Sequence, residues 1–178
     1  MTQPTPDLIE RAARVRLACF DVDGTLTDGR LFYDAEGRES KAFHVLDGQG
    51  LRLLEDNGIA VALITARRSA AVQSRARDLG LSHVHTGVKD KAATLRMLCA
   101  SLGLSASETA HMGDDLPDLP ALRCVGLAVT PADAHAWVAE HAHWRTRAAA
   151  GAGAARELCD LILLARDAKA GILARFGA

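Results

Sequence analysis

Asp21 and Asp23 stand one residue apart in the run Asp-Val-Asp-Gly-Thr, at the carboxyl end of an apolar stretch, with Gly24 placed to turn the chain sharply. Two carboxylates at one mouth repel each other unless a cation or a proton compensates, and hard oxygen donors suit Mg²⁺. A divalent cation is therefore implied. Asp-Gly can also do no more than make a turn, which is the plain reading of Asp28-Gly29 and Asp47-Gly48. A calcium loop is excluded, because Leu26 stands where its glycine is needed and Phe32 where its bidentate glutamate belongs.

Three further apolar runs end in groups that complement this pair. Thr65 follows Val-Ala-Leu-Ile, Lys91 follows the third run, and Gly113, Asp114 and Asp115 follow the fourth. Thr65 can donate a hydroxyl and Lys91 a point charge to phosphate oxygens, while Asp114 can complete a metal shell. Asp115 and Asp118 suit supporting or helix-capping roles better than direct ligation.

The elements that must position these groups are legible as alternation. Runs of strand length recur at Leu17 to Val22, Ile59 to Ile64, His83 to Thr86, Thr109 to Met112 and Val125 to Val129. Between them lie helical spacings: Val72, Ala76, Leu79, then Leu95, Leu98, Leu102, and finally Leu158, Leu161, Ile162, Ala165. This order predicts an α/β fold, a three-layer Rossmann-like parallel sheet with helices on both faces and its ligand site at the carboxyl ends of the strands. Arg30 to Tyr33 and Glu39 to Val45 flank a polar turn and read as a protruding β-hairpin, about 30–45. Asp7 can cap a short first helix through Arg14, behind a frayed lead. Ala148 to Ala155 reads as a mobile Ala/Gly loop, and a long C-terminal helix is expected over about 155–175.

Composition narrows the class. The 178 residues fit one domain spanning 1–178, and with 49% hydrophobic but only 4% aromatic residues the core must be built from aliphatic side chains. Lys plus Arg (21) nearly balances Asp plus Glu (22), which leaves no positive field to gather nucleic acid. Cys19, Cys99, Cys124 and Cys159 lack metal-ligand spacing and read as reduced, buried thiols. No apolar run approaches the about 18 residues of a membrane span and no signal peptide is visible, so a cytoplasmic location without membrane contact is expected.

The order Asp-x-Asp-Gly-Thr, Thr, Lys, then Gly-Asp-Asp-x-x-Asp, over residues 21 to 118, resembles the four motifs of haloacid dehalogenase-like phosphatases. The resemblance implies that Asp21 attacks phosphorus to give an aspartyl-phosphate, and that Asp23 protonates the leaving alcohol and later activates water. It also implies that Mg²⁺ is held by Asp21, Asp114 and the backbone carbonyl of Asp23, with Thr65 and Lys91 orienting the phosphate. Asp23 favours a phosphatase or phosphomutase, since ion pumps of this superfamily carry Lys there and dehalogenases lack an acid. No cap domain fits between the motifs, which disfavours a phosphomutase.

The hairpin would expose Leu31, Phe32, Tyr33 and Phe43, so a closed homo-oligomer is predicted. A hairpin of this kind, followed by Lys-Ala-Phe-His-x-x-Asp-Gly-x-Gly, resembles the 3-deoxy-D-manno-octulosonate 8-phosphate phosphatase family, homotetramers of lipopolysaccharide biosynthesis; Lys41 to Gly50, Ile64 to Arg67, Gly113 to Asp118 and Arg147 to Glu157 carry the likeness. By that resemblance His44, Val45, Leu46, Asp47, Gly48, Arg52, Arg67, Arg75 and Lys91, with Asp23, contact a small sugar-acid phosphate. Arg67 precedes a helix starting at Ser69, where a cation opposes the helix dipole, so a substrate carboxylate suits it better than a local role. Arg52 and Arg75 fall in expected helices, where a solvated face is the ordinary explanation. His83, His85, His111, His135, His141 and His143 read as structural or surface groups, with His141 and His143 alternating as on a strand. Leu46 stands where a polar or basic residue is expected, and Ala150 and Ala152 interrupt a segment richer in glycine in that family. Two rival readings remain: a phosphatase of another keto-sugar acid phosphate, such as 2-keto-3-deoxynononate 9-phosphate, and a catalytically silent oligomeric scaffold.

Overall fold

The computed structural model describes residues 4–178. Strands β1 (Leu17–Phe20), β4 (Ala60–Thr65), β5 (His83–Thr86), β6 (Thr109–Met112), β7 (Leu127–Thr130) and β8 (Trp144–Arg145) form one parallel sheet in the order β5-β4-β1-β6-β7-β8. Successive side chains of a strand point to opposite faces, and β1 shows the result directly. Ala18 and Phe20 join one apolar core with Leu51, Leu54, Leu158 and Ile162, whereas Leu17 and Cys19 join another with Leu95, Leu98 and Leu122. The first core is covered by α1 (Pro6–Ala13), α2 (Val45–Asp56), α3 (Ala70–Leu79) and α7 (Ala154–Ala165); the second by α4 (Lys91–Leu102), α5 (Leu119–Leu122) and α6 (Ala136–Ala139). The three-layer α/β architecture read from the alternation is therefore present.

Several boundaries depart from expectation. Thr5, not Asp7, caps α1, its side chain accepting from the Leu8 N–H at 3.3 Å; Asp7 lies in the first turn instead. The frayed lead falls partly on residues 1–3, outside the described residues. The hairpin strands are only β2 (Phe32–Tyr33) and β3 (Glu39–Ser40), and Val45 belongs to α2. Asp34 builds the turn between them, accepting from the Glu36 and Arg38 N–H groups. Strand β8 was not foreseen, since two residues give no periodicity; His143 lies just before it, with Nδ1 accepting from the Ala128 N–H at 2.8 Å, and His141 lies in the preceding turn.

The single C-terminal helix is two. After α7 the chain passes through Asp167 in the left-handed region (φ 54°), and a separate helix, α8 (Lys169–Arg175), follows with Ile172 against the core. The Ala148 to Ala155 segment is not a loose loop. Gly151 donates to the Thr25 carbonyl at 3.1 Å, Ala150 to Asp133 at 2.9 Å and Gly153 to Asp47 at 3.3 Å, and Ala150, Ala154 and Ala155 are buried. No helix among the described residues is long and apolar enough to cross a membrane.

Candidate active site

Strand β1 ends one residue before Asp21, whose N–H donates to the Met112 carbonyl at 2.9 Å and so locks the nucleophile candidate to the neighbouring strand end. The chain then turns tightly, the Val22 carbonyl accepting from the N–H groups of Thr25, Leu26 and Thr27. Gly24 makes this possible in two ways: its φ is 82°, and a Cβ there would overlap the carboxylate of Asp114 arriving from β6. The same logic applies at Gly113, where a Cβ would meet the Asp118 side chain. Asp90 caps α4 by accepting from the Ala93 N–H at 2.8 Å, which makes Lys91 the first residue of that helix and aims it at the strand ends.

Lys91 Nζ lies 2.8 Å from Asp21 Oδ1 and 2.7 Å from Asp118 Oδ1, and all three side chains are buried. His111 Nε2 sits 3.0 Å from the same Asp118 oxygen. Asp115 caps the following turn, accepting from the Leu116 N–H at 2.8 Å. Thr65 is buried and accepts from the Arg67 N–H at 3.2 Å, leaving its hydroxyl hydrogen free to donate. Together Asp21, Asp23, Thr65, Arg67, Lys91 and Asp114 line an open cavity of about 280 Å³. A second cavity of about 290 Å³ between α7 and α8 is lined mainly by leucine and isoleucine and carries none of these groups.

Charge crowding shows in the titration behaviour. Burial, then the Asp118 carboxylate, pushes Asp21 up to about 6 against the pull of Lys91. Burial, then Asp21 and Asp118, pushes Asp114 up to about 7. Asp118 goes the other way: burial opposes its ionisation, but the hydrogen bonds and charges of His111 and Lys91 outweigh it and hold the group below its usual value. For Lys91, burial is outweighed by the two carboxylates, and its pKa rises. Two carboxylic groups that resist ionising side by side mark a place where a cation belongs.

The residues fit Mg²⁺. Oxygens of Asp21, Asp114 and Asp118 lie within 4.8 Å of one another, and Asp114 Oδ1 is buried with no hydrogen-bond partner. Asp118 Oδ1 is shared by Lys91 and His111 and Asp21 Oδ1 is paired with Lys91, so the unpartnered Asp114 Oδ1 is the oxygen of this group most open to an ion; the Asp23 carbonyl accepts no hydrogen bond among the described residues. The donor set is all hard oxygen, as Mg²⁺ requires.

The base of the hairpin folds onto the site. Lys41 Nζ pairs with Asp23 Oδ1 and lies 3.2 Å from Glu39 Oε1; Glu39 also pairs with Arg67 Nη2, which reaches the Tyr33 hydroxyl at 2.8 Å. Burial works against Glu39 ionising, but the Arg67 and Lys41 cations paired with it hold it at about 2. Arg67 Nε is buried, unpartnered, and 4.0 Å from Asp23 Oδ2. The contacts of Lys41, Glu39 and Tyr33 were not read from the sequence, the one signal being the Lys41 motif itself; Asp118, read as a supporting group, binds Lys91, and His111, read as structural, is buried against it.

Other expected contacts lie elsewhere. His44, Asp47, Gly48 and Arg75 border a narrow crevice with Phe43, the Arg75 guanidinium 5.9 Å from the Phe43 ring centre. Phe43 thus packs back on its own core instead of facing water, correcting the expectation that it is exposed. The Asp47 carboxylate is turned inward and accepts from the N–H groups of Gly153 and Arg156 at 3.3 and 2.8 Å. Val45, Leu46 and Arg52 are exposed on α2 and do not reach the cavity.

A family model described as haloacid dehalogenase-like hydrolase matches residues 34–126, beginning after the Asp21–Asp23 pair. The chain is 46% identical over 161 residues to the 3-deoxy-D-manno-octulosonate 8-phosphate phosphatase of Yersinia pestis, covering 90% of this chain and 86% of that one. Among solved structures, a hypothetical protein from Xanthomonas campestris is 61% identical with a TM-score of 0.97, over 100% of this chain and 97% of that one. The 3-deoxy-D-manno-octulosonate 8-phosphate phosphatase of Moraxella catarrhalis, solved with magnesium, phosphate and KDO, is 40% identical with a TM-score of 0.94, over 97% of this chain and 99% of that one.

Proposed function

Because the chain belongs to the haloacid dehalogenase-like hydrolase family, we propose that it is a Mg²⁺-dependent phosphatase hydrolysing 3-deoxy-D-manno-octulosonate 8-phosphate to the free sugar acid and phosphate, in lipopolysaccharide precursor synthesis. The observation that carries the chemistry is the convergence of Asp21, Asp114 and Lys91 on one mouth, with Lys91 Nζ 2.8 Å from Asp21 Oδ1. The substrate follows the Yersinia and Moraxella relatives.

In this reading Asp21 attacks phosphorus, its oxygen forming the new P–O bond as the ester oxygen departs with a proton from Asp23. Asp23 then takes a proton from water, which attacks the aspartyl-phosphate and frees phosphate and Asp21. Bound Mg²⁺, held by Asp21, Asp114 and the Asp23 carbonyl, supplies charge neutralisation to a carboxylate approaching a dianion. Lys91 and Thr65 bind phosphate oxygens, and Arg67, whose side chain lines the cavity and is 40% exposed, binds the sugar carboxylate. His44, Asp47, Gly48 and Arg75 form the wall of the adjoining crevice. Residues 1–178 act as one domain, in the cytoplasm.

Leu31, Phe32 and Tyr33 are 46%, 47% and 55% exposed, and Val45 and Leu46 are 77% and 53% exposed. Apolar surface of this kind supports a homo-oligomer, which we take to be a tetramer by the family resemblance. Val45, Leu46 and Arg52, exposed and outside the cavity of their own chain, are assigned to a neighbouring subunit's substrate.

Phosphate release is measured with Mg²⁺ from the eight-carbon sugar-acid ester, from 2-keto-3-deoxynononate 9-phosphate and from an aryl phosphate, with Asp21→Asn as control. The eight-carbon ester is hydrolysed fastest and the variant is inactive. Preference for the nine-carbon ester would overturn the substrate, and no Mg²⁺-dependent release from any ester would leave a silent scaffold.

A further inference from the structure

A lysine whose side chain is only 1% exposed stands beside the general acid, and it comes from the hairpin and not from any strand end. Burying an ammonium group is costly unless its partners are well placed, so an apolar side chain would serve a purely structural purpose there at least as well. Lys41 has two partners, Asp23 Oδ1 and Glu39 Oε1, and it does not line the cavity. Glu39 is in turn held by Arg67, which fixes the far side of the ammonium. The other oxygen of Asp23, Oδ2, is buried, carries no hydrogen bond among the described residues and lies 4.0 Å from Arg67 Nε.

We propose that Lys41 is a positioning residue for the proton-transfer step: it pins Asp23 by Oδ1 so that Oδ2, closed off beside Arg67 until bound substrate draws that side chain away, alone exchanges a proton with the leaving oxygen and then with water. The inference rests on the phosphatase reading of this site. In the first half-reaction the bond between phosphorus and the ester oxygen breaks, its electron pair stays on that oxygen, and the oxygen takes the proton from Asp23 Oδ2. The carboxylate so formed is balanced by the Lys41 ammonium, which neither gains nor loses a proton. In the second half-reaction Oδ2 takes a proton from the attacking water, and Asp23 returns to its starting state. A carboxyl group free to rotate would present either oxygen, and the proton would miss the ester oxygen in much of the population.

The distinguishing property is dependence on the leaving group, because help from a general acid matters most when the departing oxygen is strongly basic. Steady-state rates of wild type, Lys41→Met, Asp23→Asn and the double variant are compared on phenyl phosphate and 4-nitrophenyl phosphate, with thermal melts to confirm folding. Lys41→Met lowers kcat/KM for phenyl phosphate by about 50-fold or more and for 4-nitrophenyl phosphate by less than about 5-fold. In the Asp23→Asn background it has no further effect, since the group it acts through is gone. If Lys41→Met does not fold, Lys41→Gln is read by the same ratio. Equal losses on both esters, or a further loss beyond that of Asp23→Asn, overturn the proposal. Neither ester is the sugar phosphate, so failure here leaves the substrate assignment standing, and failure of the sugar-acid assay leaves this comparison readable.

Discussion

The Lys91 ammonium lies 2.7 Å from Asp118 Oδ1, and neither side chain is more than 5% exposed. The pairing keeps a cation charged in the interior and aimed at the mouth where Asp21 stands 2.8 Å away on its other side.

Asp118→Asn leaves Lys91 and His111 facing a neutral amide. Removing one member of a buried charged cluster destabilises the fold by about 3 kcal/mol, readable as a lower urea midpoint at unchanged m-value. A variant that unfolds with wild type would show that the cluster contributes nothing.

Magnesium affinity depends on pH in a direction that follows from the raised carboxyls. Asp21 and Asp114 have folded values of about 6 and about 7 against 3.8 when exposed, so the folded, metal-free protein binds more protons than the unfolded chain between those limits. Stability that is fully present below pH 3.8 is therefore lost progressively as pH rises, until it passes the folded values of about 6 and about 7. His85 and His143, lowered by burial, act with the opposite sign below 6.5, so the total slope is mixed. The difference between Mg²⁺-loaded and chelated protein isolates the carboxylates, since the ion displaces their protons. The Mg²⁺-induced rise in Tm is clearly larger at pH 8 than at pH 5.5. Equal rises would contradict the assignment of these carboxyls to the metal.

Asp47→Ala removes the acceptor for the Gly153 and Arg156 N–H groups at the start of α7. Loss of an N-terminal cap costs about 1 to 2 kcal/mol, and Asp47→Asn, which keeps one acceptor, costs less. Denaturant titration gives both numbers; an alanine variant as stable as wild type would remove the capping role.

Replacing Leu31 and Phe32 by Asp puts charge on the exposed hairpin without touching the strand ends. Sedimentation velocity shows wild type well above the 18.9 kDa of one chain and the double variant shifted toward it. A wild-type monomer would overturn the assembly.

The strand ends were legible because each carries its chemistry within a few residues of a strong apolar run. Asp21, Thr65, Lys91 and Asp114 could be placed together from topology alone, and the structure puts them around one cavity. What escaped reading depends on contacts between distant residues. Asp47 meets Arg156 across 109 positions, and Lys41 meets Asp23 only because the hairpin folds back. Neither contact leaves a period in the sequence. The break at Asp167 was hidden for another reason: a non-glycine residue in the left-handed region carries no compositional mark, and Ile172 and Leu173 continue an apolar pattern across it.

The bond from Gly151 to Thr25 ties the turn after Asp21, and the bonds from Gly153 and Arg156 to Asp47 tie the start of α2, to a segment made more than a hundred residues later. During synthesis from the amino end, every group assigned to catalysis has emerged by residue 118, yet the turn after Asp21 lacks its bond from Gly151, and Asp47 both of its donors, until residues 151 to 156 follow. The growing chain thus carries the chemistry well before it carries the shape, and competence is a late event of folding, set by closure of its longest loops.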